Sequence, residues 1–136
     1  METELCGKAA YRFLKFCCVG LSGIIVNMGM LWFFTEIYGF YYLISSVIAI
    51  EASILSNFIL NENWTFVDID SSSTVAVRFL KMNAVYAAGL AINLGVLLML
   101  TEIFGAHYLI SNLFGIACAT LFNFFWAKNY VWRSCS

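Results

Sequence analysis

Glu51 is the one carboxylate inside the stretch 37–61, which is otherwise uncharged. A charge near the middle of an apolar segment is costly, so this group should face protein or water, or carry its proton. Two readings stay open: a proton-coupled or headgroup-contacting site, and a neutral, hydrogen-bonded acid that fixes helix packing. The same stretch ends in Asn57, Asn61 and Trp64, and a second one ends in Asn123, Lys128 and Tyr130. Amides, a cation and aromatic rings at a membrane surface suit a phosphate–sugar headgroup. They equally suit any helix end at that level, and residue types alone do not choose between the two.

The elements that must position these groups follow from composition. The chain has 136 residues, 62% hydrophobic and 11% charged, with a mean hydropathy of +0.87. A soluble domain needs more charge to cover its surface, whereas a bilayer-spanning helix needs about 20 apolar residues. Uncharged runs cover residues 16–35, 82–101 and 103–127, and 37–61 is broken only by Glu51. The expected fold is therefore all-α and integral to a membrane, with four transmembrane helices and no room for a soluble catalytic domain. Lys8, Arg12 and Lys15 precede the first run, as in a signal peptide. The run is longer than such a segment needs and no small-residue cleavage site follows, so it is read as a retained helix.

The chain repeats itself at an offset of 66. Arg12-Phe13-Leu14-Lys15 recurs as Arg78-Phe79-Leu80-Lys81, Thr35-Glu36-Ile37 as Thr101-Glu102-Ile103, and Tyr42-Leu43-Ile44-Ser45 as Tyr108-Leu109-Ile110-Ser111. Asn27 and Gly29 match Asn93 and Gly95. This reads as a tandem repeat of a two-helix unit, parallel because two helices return the chain to its starting side. The expected organisation is a single membrane domain over 1–136, with repeat one at about 12–66, a polar linker at 67–77 and repeat two at about 78–132.

All seven basic residues fall in the N-terminal arm, the central loop or the tail, and none near 36–41 or 102–107. The positive-inside rule then expects both termini and the central loop in the cytoplasm of a multi-pass cell-membrane protein. The outer turns should centre on Gly39 and Gly105. Arg12 with Lys15, and Arg78 with Lys81, are three apart and share a helix face. Such segments could lie along the membrane surface, either as topology signals and anchors or as contacts for a lipid phosphate.

Two stripes of small residues run at a spacing of four: Ser45, Ala49, Ser53 and Asn57, then Ser111, Gly115, Ala119 and Asn123. Small residues let membrane helices approach closely, so helices two and four are expected to pack through these stripes, with Asn27 and Asn93 serving similarly in helices one and three. The five cysteines show no C-x-x-C spacing and read as small apolar residues. Asp68-Ile69-Asp70 imitates the metal-holding D-x-D of sugar-nucleotide transferases, but nothing nearby would bind a nucleotide. With one His, no nucleophile–base pair, no metal cluster and no Gly-rich phosphate loop, neither an enzyme nor a cofactor or metal site is expected.

The run Glu51-Ala52-Ser53-Ile54-Leu55-Ser56-Asn57-Phe58-Ile59-Leu60-Asn61-Glu62-Asn63-Trp64-Thr65-Phe66 resembles the N-F-x-x-N-x-x-W-T-F signature of the GtrA-like family. Arg12-Phe13-Leu14-Lys15-Phe16 followed by Val19-Gly20 is similar to that family's start, and the likeness runs from about Arg12 to Trp132. The same four-helix module resembles the membrane domain fused to some archaeal dolichol-phosphate mannose synthases. The resemblance implies a small membrane protein of cell-surface polysaccharide or glycoconjugate synthesis, one that moves a polyprenyl-phosphate-linked sugar across the membrane or anchors and assists the transferase that makes it. Carried over, the headgroup candidates are Asn57, Asn61 and Trp64, with Asn123 and Lys128. Many members have a basic residue where this chain has Glu62. An acid there would repel a phosphate, so a single site is expected near Lys128, the aligned position of the second copy.

The expected partners are thus a polyprenyl-phosphate-linked sugar lipid, a membrane glycosyltransferase as a second candidate, and further copies of this chain, since four helices are too narrow to enclose a sugar pathway. No nucleic-acid partner is expected. A third reading, a proton-coupled exporter of the small multidrug class, fits the helix count and single membrane carboxylate. It fits less well the position of that carboxylate in the second span and the complete charge bias.

Overall fold

A computed structural model describes residues 1–133. Four α-helices follow one another: α1 (Glu2–Trp32), α2 (Tyr42–Leu60), α3 (Val75–Leu98) and α4 (Tyr108–Trp126). Each continues into a five-residue π-helical turn: Phe33–Ile37, Asn61–Thr65, Met99–Ile103 and Ala127–Val131. With these turns included, all four are long and apolar enough to cross a membrane. The chain divides into two compact units after Asp68, one holding α1 packed on α2 and the other α3 packed on α4.

Each unit is a helical hairpin closed by a glycine. Gly39 has φ +68° and Gly105 has φ +65°, a conformation that a side chain disfavours. The residue after each glycine donates its N–H six residues back, Phe40 to the Phe34 carbonyl and Ala106 to the Leu100 carbonyl, both at 3.0 Å. This bond satisfies carbonyls that the helix end would otherwise leave open. The turns therefore centre where expected, and α2 and α4 begin just beyond them. The uncharged runs place these two starts about five residues early, because turn residues such as Tyr38, Phe40 and Phe104 are apolar as well.

The Arg-Phe-Leu-Lys elements do not form separate helices on a membrane surface. Arg12 and Lys15 lie inside α1, and Arg78 and Lys81 lie in the opening turns of α3. No proline separates them from the apolar residues that follow, so each helix propagates straight through. α3 starts at Val75, two residues before the expected end of the linker, with the Thr74 hydroxyl accepting the Val77 N–H at 3.4 Å.

Each hairpin buries small and polar side chains where its helices touch, together with a few bulky ones such as Phe16, Met82 and Trp132, and turns leucines and isoleucines outward. Ser45 and Ala49 in α2, and Ser111 in α4, are fully buried, whereas Ile25 is 74% exposed and Leu113 67% exposed. Lipid is as apolar as leucine, so outward leucines and isoleucines cost nothing in a bilayer and close helix contact must come from small residues.

Candidate functional site

The small-residue stripes work inside their own hairpins. Within the first hairpin the α2 stripe meets α1, and within the second the α4 stripe meets α3. The Ser53 hydroxyl donates to the Gly23 carbonyl of α1 at 2.7 Å. A Cβ on Gly23 would fall inside the Asn57 carboxamide, and one on Gly89 inside that of Asn123. Asn93 lies likewise against Gly115. Ala49, at the position matching Gly115, is fully buried and Ala119 nearly so. Asn27 is half-buried in α1. The carbonyl oxygens of Asn57, Asn93 and Asn123 are buried without an ordinary hydrogen-bond donor; for Asn57 and Asn123 the neighbour is a glycine backbone, where a Cα–H is the available partner. Asn57 and Asn123 thus sit at helix–helix contacts and not at the helix ends.

The end of the first hairpin gathers cations and rings. Lys15 lies over the Tyr11 ring at 4.7 Å and the Trp64 ring at 5.4 Å, and its Nζ donates to the Trp64 carbonyl at 3.3 Å. Arg12 is paired with Asp68 at 2.6 Å. Beneath them Phe16 and Phe66 meet edge-on, ring centres 6.3 Å apart, and both are buried. The π turn sets this arrangement. Phe66 N–H reaches back to the Asn61 carbonyl at 2.8 Å, and Asn61, Thr65 and Phe66 all turn inward. From Lys15 to Ile37 the first helix and its π turn span about 33 Å at roughly 1.5 Å per residue. That is close to the thickness of a hydrocarbon layer, about 30 Å, so a bilayer spanned by this stretch would have its headgroups at the level of Lys15 and Arg12.

The second hairpin has the same pairing 66 positions on: Lys81 lies over the Tyr130 ring at 4.7 Å. Behind it is an open groove of about 210 Å³ lined by Ala84, Val85, Ala88, Phe122, Trp126 and Tyr130. Arg78 is buried and its guanidinium folds back on the Ser73 carbonyl. Where the first hairpin has Asn61 and Thr65, this one has Ala127 and Val131, both fully buried. Lys128 is half-buried, with no hydrogen bond, ion pair or ring contact among the described residues.

Glu51 is exposed on α2 and makes no hydrogen bond or ion pair among the described residues. It lies outside the stripe that packs on α1, so it does not fix that packing. Cys6, Cys17, Cys18 and Cys118 are free thiols; Cys135 lies outside the described residues. Of the headgroup candidates, the structure brings together Arg12, Lys15 and Trp64 in one hairpin. In the other, Lys81 pairs with Tyr130, the ring that stands with Asn123 and Lys128 at the end of the second stretch. Sequence reasoning missed Tyr11, Thr65, Asp68 and Gly23. Lys8, Tyr11, Arg12 and Lys15 recur at three- and four-residue steps, which puts them on one helix face, and that spacing was the available signal.

Hairpins of membrane-length helices, apolar outside and small-polar inside, define a multi-pass membrane protein. The chain belongs to the GtrA/DPMS transmembrane-domain family, which it matches over residues 15–132. It is 45% identical over 105 residues to a Pyrococcus furiosus protein named dolichol-phosphate mannosyltransferase, a match covering 77% of this chain and 29% of that one. It is 29% identical over 119 residues to the uncharacterized membrane protein YngA of Bacillus subtilis, covering 87% of this chain and 76% of YngA. The chain therefore spans less than a third of the length of the mannosyltransferase it matches.

Proposed function

We propose that this protein handles a polyprenyl-phosphate-linked sugar in the synthesis of cell-surface polysaccharide or glycoconjugate, and that it moves that lipid across the cell membrane without catalysing a bond change. The observation that carries the reading is the cation set on an aromatic ring at headgroup depth, Lys15 with Tyr11 and Trp64 in one hairpin and Lys81 with Tyr130 in the other. Such a pair meets an anionic headgroup with charge and a flat apolar face together. The similarity to a protein whose name specifies a polyprenol phosphate supports the same lipid class. In this reading both termini and the segment between the hairpins face the cytoplasm, as the distribution of basic residues supports, and copies of the chain assemble to enclose the path.

A second reading makes the protein a non-transporting anchor or partner of a polyprenyl-phosphate glycosyltransferase. It is favoured by the match to the Pyrococcus protein, which is confined to 29% of that chain and so leaves most of a named transferase outside it. Liposomes carrying a labelled polyprenyl-phosphate sugar separate the two. Accelerated transbilayer movement that falls at least about tenfold in a Lys15→Gln/Lys81→Gln variant supports translocation. No acceleration by well-folded protein, together with co-purification of a glycosyltransferase, overturns it in favour of the anchor.

A further inference from the structure

Between the start of α1 and the end of α2 lies a cavity of about 250 Å³, contained wholly in the first hairpin. Three cations line it, Lys8, Arg12 and Lys15, against a single carboxylate, Asp68. Its wall also carries Thr65, a side chain only 2% exposed, whose hydroxyl has no hydrogen-bond partner. One turn deeper, Asn61 is fully buried with both amide atoms unpartnered. Buried polar groups are normally satisfied, and an unsatisfied hydroxyl at the wall of a cationic cavity marks a place where a ligand's oxygen completes the set.

We propose that this cavity is an oxyanion site that takes a phosphate group, Lys8, Arg12 and Lys15 supplying charge and Thr65 a neutral donor. The lipid that carries the phosphate is taken from the function proposed above; the site itself rests on the hairpin's geometry. Asp68 acts as an internal stand-in. Its carboxylate on Arg12 shows the guanidinium aimed to grip an oxyanion, and an arriving phosphate displaces it. Among the described residues the second hairpin does not repeat this set. The positions matching Lys8, Thr65 and Asn61 are Thr74, Val131 and Ala127, and Arg78 is folded onto a backbone carbonyl. The phosphate therefore belongs to the first hairpin, and not to the Lys128 end favoured by charge counting.

The test uses the full chain in phosphatidylcholine nanodiscs, with a polyprenyl monophosphate in the bilayer as one probe and inorganic phosphate in the buffer as the other. The uncharged polyprenol is the control. Arg12→Gln and Lys15→Gln should each weaken phosphate binding about tenfold, the scale of one charge-assisted hydrogen bond. Thr65→Val should weaken it several-fold, and Lys128→Gln should leave it unchanged. Asp68→Asn should tighten it, an effect that misfolding does not mimic. Lipid binding that inorganic phosphate does not displace assigns the site to the headgroup; displacement at matched concentration assigns it to phosphate as such, and both support the site. No binding of either probe, equal binding of polyprenol, or unchanged binding in an Arg12→Gln/Lys15→Gln variant overturns it. Binding that survives alongside failed translocation in liposomes overturns the transport reading alone.

Discussion

The contact between Gly23 and Asn57 should be the most sensitive point of the first hairpin. Gly23→Ala puts a methyl group where the Asn57 carboxamide already lies, so either the amide moves or α1 and α2 separate. Overpacking of this kind costs about 1–3 kcal/mol. Separation would also stretch the Ser53 to Gly23 hydrogen bond, and interhelical hydrogen bonds in membranes contribute about 0.6 kcal/mol on average. Alanine's better helix propensity offsets up to about 1 kcal/mol, leaving a net loss of about 1–2 kcal/mol. A Cβ added at Gly20 or Gly29, in the same helix, would meet nothing within 4 Å beyond its own helix backbone, so Gly20→Ala and Gly29→Ala should be neutral or mildly stabilising. The decisive comparison is a double-mutant cycle. Asn57→Ala alone should cost about 1 kcal/mol, but it vacates the space the new methyl needs. Gly23→Ala/Asn57→Ala should then be less destabilised than the sum of the single changes by about 1 kcal/mol or more. Reversible unfolding in mixed micelles, followed by far-UV circular dichroism, reads all of these. If Gly23→Ala is as stable as Gly20→Ala, or the cycle shows no coupling, the assigned contact is wrong. Gly89→Ala and Asn123→Ala should behave in parallel in the second hairpin.

Two further outcomes follow from single residues. Gly39→Ala forces a side chain into φ +68° and should cost about 1 kcal/mol in the same unfolding assay; no loss would mean the turn adopts another conformation. Glu51→Leu removes an exposed carboxylate from the middle of an apolar helix, so if lipid covers that face the variant should be more stable, on the order of 2 kcal/mol. A less stable variant would show instead that protein or water receives the carboxylate, and transport measured beside stability decides whether that contact is functional.

Element positions were legible in the chain because the bilayer's demand is one-dimensional. A helix must be long and apolar, and the uncharged runs answer that directly. Gly39 and Gly105 were legible as turns for a similar local reason, since a positive φ is a property of one residue. Partner choice was not local. Steps of four in Ser45, Ala49, Ser53 and Asn57 show which face of α2 is small, but not which helix fills it, and Gly23 of α1 proved to be the counterpart. Asn57 belonged to that stripe and also stood near a helix end, and the glycine opposite it shows the packing contact that residue type alone left open. Lys8 lies far in the chain from Thr65 and Asp68, and only the hairpin fold brings the three to one cavity.

Glu62 and Lys128 show why charge at one position is a poor guide to an anion site. Judged by sign, the aligned pair favours the second hairpin. The groups behind the helix end argue the opposite. Lys15 and Lys81 lie on matching rings, so the two ends present a cation in the same way. Behind Lys15 stand the unpartnered Thr65 hydroxyl and Asn61 amide, and Glu62 is not part of the cavity wall. On the Lys81 side the groove is lined by apolar and aromatic residues, and the buried positions Ala127 and Val131 carry no polar side chain. An ion entering a partly buried site loses water and must recover hydrogen bonds there, and among the described residues the buried Thr65 hydroxyl and Asn61 amide have only Val131 and Ala127 as counterparts in the second hairpin. On the site proposed above, enclosing a phosphate would fall to Arg12, Lys15 and Thr65 and meeting one at the surface to Lys81 and Tyr130, although the basic residues of the two hairpins repeat in register.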